Sequence, residues 1–361
     1  MDELFMRRAI ELARRGMGWT SPNPLVGAVV VKDGRVIGEG WHERCGGLHA
    51  ERNALKNCAE DPAGGTIYVT LEPCCHHGRT PPCTEAIIAA KLARVVYGSF
   101  DPNPKVCGKG AQQLREAGIA VEAGFLRDEC DALNPIFFHY ITHKTPFVAL
   151  KYAMTADGKI ATRTGASKWI TGSEAREHVH ALRHQYRGIL AGVGTVLADD
   201  PLLNCRMEGG RDPVRIICDS RLRTPLDSQL CKTAHDIPLI IATAADDAEK
   251  RAALEACGAE VWVLPDENGK VDLSALMQRL GEREIDSLLV EGGGTLHEAL
   301  LRAGLYHRVY AFVAPKLFGG RDAKTPVEGE GVAAPDEAYA LRLADVQHFG
   351  RDLLLTYDRE D

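Results

Sequence analysis

The sequence predicts a two-domain α/β protein. Strand-like apolar runs alternate with helix-length segments along the whole chain, and Lys144-Thr145-Pro146 breaks the pattern between two such series. Length agrees: 361 residues exceed the size at which one hydrophobic core keeps growing, so residues 1–144 and 145–361 are expected to form separate domains.

In the first series, Asp2 is expected to cap a helix that ends near Gly16, with Leu4, Ile10 and Ala13 among its apolar positions. The runs 25–31 and 35–40 flank Asp33-Gly34, the signal of a type I′ hairpin. A short helix from about His49 to Cys58 precedes a strand over 66–71. A helix from Thr84, a strand over 94–98, a helix near Gln112 and a strand over 119–121 follow. One helix is expected from Leu126 to His143, stopped ahead of Pro146. The second series has strands over 147–152, 188–191, 214–218, 239–242, 260–264, 287–290, 308–313 and 353–357.

Composition excludes several classes. A hydrophobic fraction of 45% and a charged fraction of 26% describe an ordinary globular protein. A formal net charge of -7 argues against non-specific nucleic-acid binding, which needs a basic face. The N-terminus lacks the apolar core of a secretory signal, and no apolar run approaches the roughly 20 residues that span a bilayer. The 11 cysteines follow no framework spacing, so reduced thiols and a cytoplasmic setting are expected, with some thiols available to a metal.

The densest chemical signal is His49-Ala50-Glu51, followed by Pro73-Cys74 and then Cys83. Zinc takes imidazole and thiolate in tetrahedral geometry, and a catalytic site with three protein ligands leaves the fourth position to water, whose pKa falls to about 7. His49, Cys74 and Cys83 are the expected ligands of one Zn2+ per chain. Glu51 can face that water without binding the metal and carry its proton to a ring nitrogen and a leaving amine. His-x-Glu followed by Pro-Cys-x-x-Cys is the signature of zinc nucleobase deaminases. Here the gap between Cys74 and Cys83 is a loop of eight residues, and Cys75 stands beside Cys74 as a competing thiolate. The alternative is a structural zinc closed by His76, His77 or Cys45, a site that has no use for Glu51.

In the second half, Lys151 to Ala161 leaves a strand and turns at Asp157-Gly158, and ligands of α/β sheets gather at the carboxyl ends of strands. The run from Val290 through Gly292-Gly293-Gly294 to Leu296 ends a strand and opens a helix. Glycine lets a ligand approach the backbone, and a helix N-terminus favours an anion such as a cofactor diphosphate. The run is not the G-x-G-x-x-G fingerprint, so taken alone it is equally a plain strand-to-helix turn. After strand 214–218, Asp219-Ser220-Arg221-Leu222-Arg223 offers hydrogen-bond donors and positive charge to a ribose 2′-phosphate. Taken singly, Trp169 reads as core, and Arg183, near His180 and His184, as a solvated helix face.

Along almost its whole length the chain resembles the bifunctional deaminase–reductase family of bacterial riboflavin synthesis. The segment Glu72 to Cys83 carries the likeness in the first half; 151–161, 192–204 and 290–296 carry it in the second. Family members often have serine where this chain has Cys75. The resemblance implies a cytidine-deaminase-like three-layer domain followed by a dihydrofolate-reductase-like domain. It implies a deaminase substrate pocket of Asn23, His42, His76, Arg79, Asp101 and Asn103. Asn23 offers donor and acceptor to a pyrimidine edge, and Arg79 a fork to the ribose phosphate. In the reductase, Ala153, Trp169, Thr195, Asp199, Ser220, Gly293, Gly294, Thr295 and Leu296 are implied to hold NADPH. Lys151, Ser167, Arg183, Leu203, Arg206 and Glu291 are implied to hold the substrate, with Lys151, Asp199 and Glu291 around the reduced carbon.

The implied chemistry is zinc-dependent hydrolytic deamination of 2,5-diamino-6-(5-phosphoribosylamino)pyrimidin-4-one. NADPH-dependent reduction of the ribosyl group of 5-amino-6-(5-phosphoribosylamino)uracil to ribityl follows. Partners are then small phosphoribosyl pyrimidines, with neither nucleic acid nor membrane, and a homo-oligomer is compatible with the sequence. A cytidine- or tRNA-type deaminase fused to an unrelated domain is disfavoured by the looped cysteine spacing and the acidic charge. A zinc-scaffolded binding protein without activity is disfavoured by Glu51.

Overall fold

The structure, a computed structural model, describes residues 1–77, 81–103 and 106–360. It divides into two units, Met1–Lys144 and Thr145–Asp361, each built on its own sheet. The first unit runs α1 (Asp2–Arg14), β1 (Gly27–Lys32), β2 (Arg35–Trp41), α2 (Ala50–Lys56), β3 (Thr66–Leu71), α3 (Cys83–Ala89) and β4 (Arg94–Ser99). It continues with α4 (Lys109–Glu116), β5 (Ala120–Ala123), α5 (Arg127–Asp131) and α6 (Pro135–His143). Strand order is β2-β1-β3-β4-β5, antiparallel from β2 to β3 and parallel from β3 to β5.

The two-residue period of the strands divides the apolar side chains between two cores. Ala28, Val30, Ile67, Val69, Val95 and Tyr97 pack against residues of α2, α3, α4 and α6. Val29, Val31, Tyr68 and Val96 pack against α1 and α5. Three layers result. In the β1–β2 turn both Asp33 and Gly34 have positive φ, as a type I′ turn requires.

Two expectations fail in this unit. Asp2 does not cap α1, whose N-cap is Met1; its carboxylate instead accepts hydrogen bonds from the Tyr68 hydroxyl (2.6 Å) and Arg94 (2.7 Å). The single helix over 126–143 is broken into α5 and α6. Pro135 starts a new helix at its first position, and buried Asn134 exchanges two hydrogen bonds with the backbone of Leu25.

The second unit runs β6 (Phe147–Thr155), α7 (Ser173–Gln185), β7 (Gly188–Gly192), α8 (Val193–Asp199), β8 (Val214–Cys218), α9 (Gln229–Lys232) and β9 (Leu239–Thr243). Then come α10 (Ala248–Ala256), β10 (Glu260–Val263), α11 (Leu273–Glu282), β11 (Ser287–Val290), α12 (Gly294–Arg302), β12 (Arg308–Ala314), β13 (Leu341–Phe349) and β14 (Asp352–Arg359). The nine strands lie in the order β10-β9-β8-β7-β11-β6-β12-β14-β13, parallel from β10 through β12, with β14 and β13 antiparallel. One core gathers Val148, Leu190, Ile216 and Leu288 with α11 and α12; the other gathers Ile189, Ile217 and Ile241 with α8, α9 and α10. Strand β13 has no counterpart in the expectation. It is an edge strand, mostly exposed, and a bulge at Leu343/Asp345 breaks the alternation that marks a strand in sequence. Among the described residues no helix is long and apolar enough to cross a membrane.

Candidate active sites

In the first unit, His49 is the N-cap of α2 rather than a residue of the helix, and its ring points at two sulfurs. Cys74 follows β3, and Cys83 is the first residue of α3. His49 Nδ1 lies 3.5 Å from Cys74 Sγ and 3.4 Å from Cys83 Sγ, and all three donor atoms lie within 4.8 Å of one another. A tetrahedral zinc with ordinary bond lengths separates nitrogen and sulfur ligands by about 3.6 Å, so these residues fit the metal as they stand. Among the described residues the cluster has these three members, so Cys45, Cys75, His76 and His77 do not close it.

The electrostatics fit a cation as well. The backbone N–H of Cys83 donates to Cys74 Sγ at 3.3 Å. The Cys83 thiol, backed by His49, holds Cys74 down to about 4, toward thiolate. Glu51, 4% exposed, is pushed above the usual carboxylate range by burial and by the Cys74 charge beside it.

Around this cluster, Asn23 Nδ2 donates to His42 Nε2 at 3.1 Å, while His42 Nδ1 donates to the Leu48 carbonyl at 3.0 Å. The His42 ring meets His49 edge-on at 5.5 Å. Burial holds His42 below its usual value, consistent with a neutral ring that accepts from Asn23. His76 has a buried Nδ1 with no partner among the described residues. Asp101, buried, accepts from Asn103 N at 2.8 Å, and burial pushes its carboxyl up to about 6. Arg79 lies outside the described residues.

In the second unit, a cavity of about 1050 Å³ opens at the carboxyl ends of β6, β7, β8 and β11. Every residue expected to touch cofactor or substrate there lines it: Lys151, Ala153, Ser167, Trp169, Arg183, Thr195, Asp199, Leu203, Arg206, Ser220, Glu291, Gly293, Gly294, Thr295 and Leu296; the Asp157-Gly158 turn is not among the lining residues. At the floor Glu291 binds two cations. Arg183 donates to it at 2.6 and 3.1 Å, and Lys151 at 3.2 Å. Burial alone would raise the Glu291 carboxyl, but Arg183 and Lys151 hold it well below the usual range. Arg183 is therefore no solvated face; its side chain is 13% exposed and also binds the Asn204 carbonyl. Trp169 is not core either, being 61% exposed under the Arg176 guanidinium.

Two glycine turns shape the cavity walls. Gly192 and Gly194 begin α8 and Gly293 begins α12, each with open space where a Cβ would stand, a cradle suited to a dinucleotide backbone. Sequence reasoning missed many lining groups, three of which pair with a residue it named. Lys168 pairs with Asp199 at 3.7 Å, Glu328 accepts from the Thr295 hydroxyl at 3.2 Å, and Val271 N donates to Ser220 Oγ. Lys168 adjoins Trp169 and was within reach of a motif argument; Glu328 and Val271 arrive from distant loops without any local signal. Arg221 and Arg223 line the same wall as Ser220.

Fold and sites together define an enzyme with a zinc-binding deaminase domain followed by a reductase domain of an NADPH-dependent kind. Two family models match: the cytidine and deoxycytidylate deaminase zinc-binding region over residues 1–99 and the RibD C-terminal domain over residues 146–355. Riboflavin biosynthesis protein RibD of Actinobacillus pleuropneumoniae is 56% identical over 353 residues, covering 98% of this chain and 94% of its own. Its counterpart in Escherichia coli (strain K12) is 40% identical over 367 residues, covering 98% of each. Among solved structures, Acinetobacter baumannii RibD has a TM-score of 0.89 at 38% identity, over 100% of this chain and 99% of that one. The Thermotoga maritima diaminohydroxyphosphoribosylaminopyrimidine deaminase/5-amino-6-(5-phosphoribosylamino)uracil reductase has a TM-score of 0.88 at 40% identity, over 99% and 98%. The chain belongs to the RibD family, the bifunctional deaminase–reductases of riboflavin biosynthesis.

Proposed function

We propose that this chain carries out two consecutive steps on one phosphoribosyl pyrimidine, the first within residues 1–144 and the second within 145–361. The first removes the exocyclic amine of 2,5-diamino-6-(5-phosphoribosylamino)pyrimidin-4-one as ammonia. The second reduces the ribosyl group of 5-amino-6-(5-phosphoribosylamino)uracil to ribityl. The observation that carries the reading is the three-donor cluster of His49, Cys74 and Cys83 with a buried, non-ligating Glu51 two residues from His49.

When bound by these three residues, zinc supplies a Lewis acid that makes water nucleophilic near neutral pH. Glu51 moves protons between that water, the ring nitrogen and the leaving amine. Asn23 and His42 present the pyrimidine edge with fixed donors and acceptors, joined by His76, Asp101 and Asn103, and Arg79 takes the phosphate. Bound in the cavity of the second unit, NADPH would supply the hydride for the sugar C1′. Ala153, Trp169, Thr195, Asp199, Ser220 and the 293–296 turn hold the cofactor. Lys151, Ser167, Arg183, Leu203, Arg206 and Glu291 hold the uracil substrate. The partners proposed are these small molecules in a cytoplasmic setting, without nucleic acid or membrane; a homo-oligomer is compatible with the reading, and molar mass in solution decides it.

Product analysis tests the reading. Incubation with the diaminopyrimidine phosphate should release ammonia without NADPH and yield the ribityl product only with it. Ammonia from cytidine but not from the diaminopyrimidine phosphate would refute it.

A further inference from the structure

Glu72 stands between β3 and the ligand Cys74, is 3% exposed, and is not a member of the metal cluster. Its carboxylate reaches instead to the start of α4, where Oε2 accepts from Gly108 N at 3.1 Å and Oε1 from Ala111 N at 3.3 Å. Helix α4 has no side-chain cap of its own; its N-cap is Gly108, at φ +76°. A carboxylate at this end satisfies N–H groups that the helix leaves open and complements its dipole. Two further contacts seal the same seam. Gly110 lies so close to the Pro73 carbonyl that an added Cβ would stand 2.1 Å from its oxygen, and Thr84, next to the ligand Cys83, donates to Gln113 of α4 at 2.7 Å. From Gly108 the hydrogen bonds continue backwards: Cys107 N and Val106 N both donate to the Asn103 carbonyl, and Asn103 N donates to Asp101.

We propose that Glu72 is a positioning residue of the deaminase, clamping the first turn of α4 to the metal-ligand loop and so fixing Asp101 and Asn103 against the metal cluster. The inference rests on the reading that Asp101 and Asn103 contact the deaminase substrate. Glutamine keeps the shape of Glu72, but its amide nitrogen faces a backbone N–H in place of an acceptor. The clamp then fails on one side, and substrate binding suffers more than chemistry.

The test is Glu72→Gln in the full chain, with zinc content, ammonia-release KM and kcat, and reductase rate on supplied uracil intermediate measured on one preparation. The expected result is about one zinc per chain and an unchanged reductase rate. Deaminase KM should rise at least about tenfold with kcat within about threefold, the signature of lost binding that is equal in ground and transition states. Gln113→Ala loosens the same seam from the α3 side; it should raise KM in the same direction and keeps the test open if Glu72→Gln does not fold. Unchanged KM in an active background, or loss of zinc in step with kcat, would overturn the clamp. Wild-type protein that releases no ammonia would overturn the deaminase reading and the clamp with it.

Discussion

The Glu291 cluster gives a prediction whose size follows from geometry. Glu291, Arg183 and Lys151 have side-chain exposures of 10%, 13% and 13% and join through contacts of 2.6, 3.1 and 3.2 Å. Glu291→Gln leaves two buried cations without their counter-charge, and breaking a buried pair by removing one partner costs about 3–5 kcal/mol. For a unit the size of Thr145–Asp361, each kcal/mol moves the unfolding midpoint by about 2–4 °C, so a drop of about 6–20 °C is expected at neutral pH. The assay is thermal unfolding of the second unit, followed alongside deaminase activity, which should be retained at ambient temperature. Because the two cations depress the Glu291 carboxyl, its stabilisation is complete above the unfolded value near about 4.3 and is lost as pH falls through the folded value. The gap between wild type and variant should therefore stay constant from neutral pH to about 5 and narrow only in stronger acid. Replacing all three residues with apolar side chains should recover much of the loss, because no unpaired charge then remains. A shift under about 2 °C for Glu291→Gln, or a gap that opens as pH falls, would refute the reasoning.

Metal analysis should find about one zinc per wild-type chain. Cys83→Ser should lose most of it and Cys75→Ser none; the reverse pattern would move the third ligand. Glu51→Gln should retain zinc and reductase activity while ammonia release falls by at least about 10²-fold, the lower end for a general acid–base group. Residual activity within about tenfold of wild type would exclude the proton-transfer role. Arg221→Ala with Arg223→Ala should weaken NADPH at least about tenfold, the loss of one hydrogen bond to a charged group, and leave NADH nearly unchanged. Equal losses for both cofactors would assign these arginines to the fold instead. A fragment beginning at Thr145 should fold and oxidise NADPH with the uracil intermediate, since its sheet and both flanking cores lie within it. A soluble fragment revived only by adding residues 1–144 would show a shared reductase site.

How much was legible in sequence depended on how local the cause was. Strands β3, β8 and β11 were readable to the residue because each is a short run rich in β-branched and aliphatic residues that ends at a polar or turn-forming stretch. The break between α5 and α6 was missed although Pro135 marks it, because the apolar period continues across 132–134. Asp2 was misread because its true partners, Tyr68 and Arg94, are far along the chain. In the metal cluster, residue types and spacing narrowed the ligands to a few candidates, and the structure was needed to separate Cys74 from Cys75 and to leave Cys45, His76 and His77 out of the three-member cluster. The cavity was different in kind. Its lining comes from separate strand ends and loops, so resemblance gathered residues whose convergence no spacing expresses, and Glu328 remained invisible even so.

The two buried glutamates show why convergence matters more than residue type. Glu51 is packed beside Cys74, Cys83 and His49, and burial among thiols raises its carboxyl toward the protonated form. Glu291, its side chain 10% exposed, is nearly as enclosed, yet Arg183 and Lys151 keep it ionised. A carboxyl shifted toward its protonated form suits proton transfer, whereas one held ionised by two cations suits anchoring. In the reading proposed above, Glu291 would orient Lys151 and Arg183, the two cations it binds, toward the substrate. Lys151 and Asp199 differ in setting: the Lys151 side chain is 13% exposed and paired with Glu291, while Asp199 is 36% exposed and paired with Lys168. The sequence presents Glu51 and Glu291 as the same residue; the groups folded against each one shift their carboxyls in opposite directions.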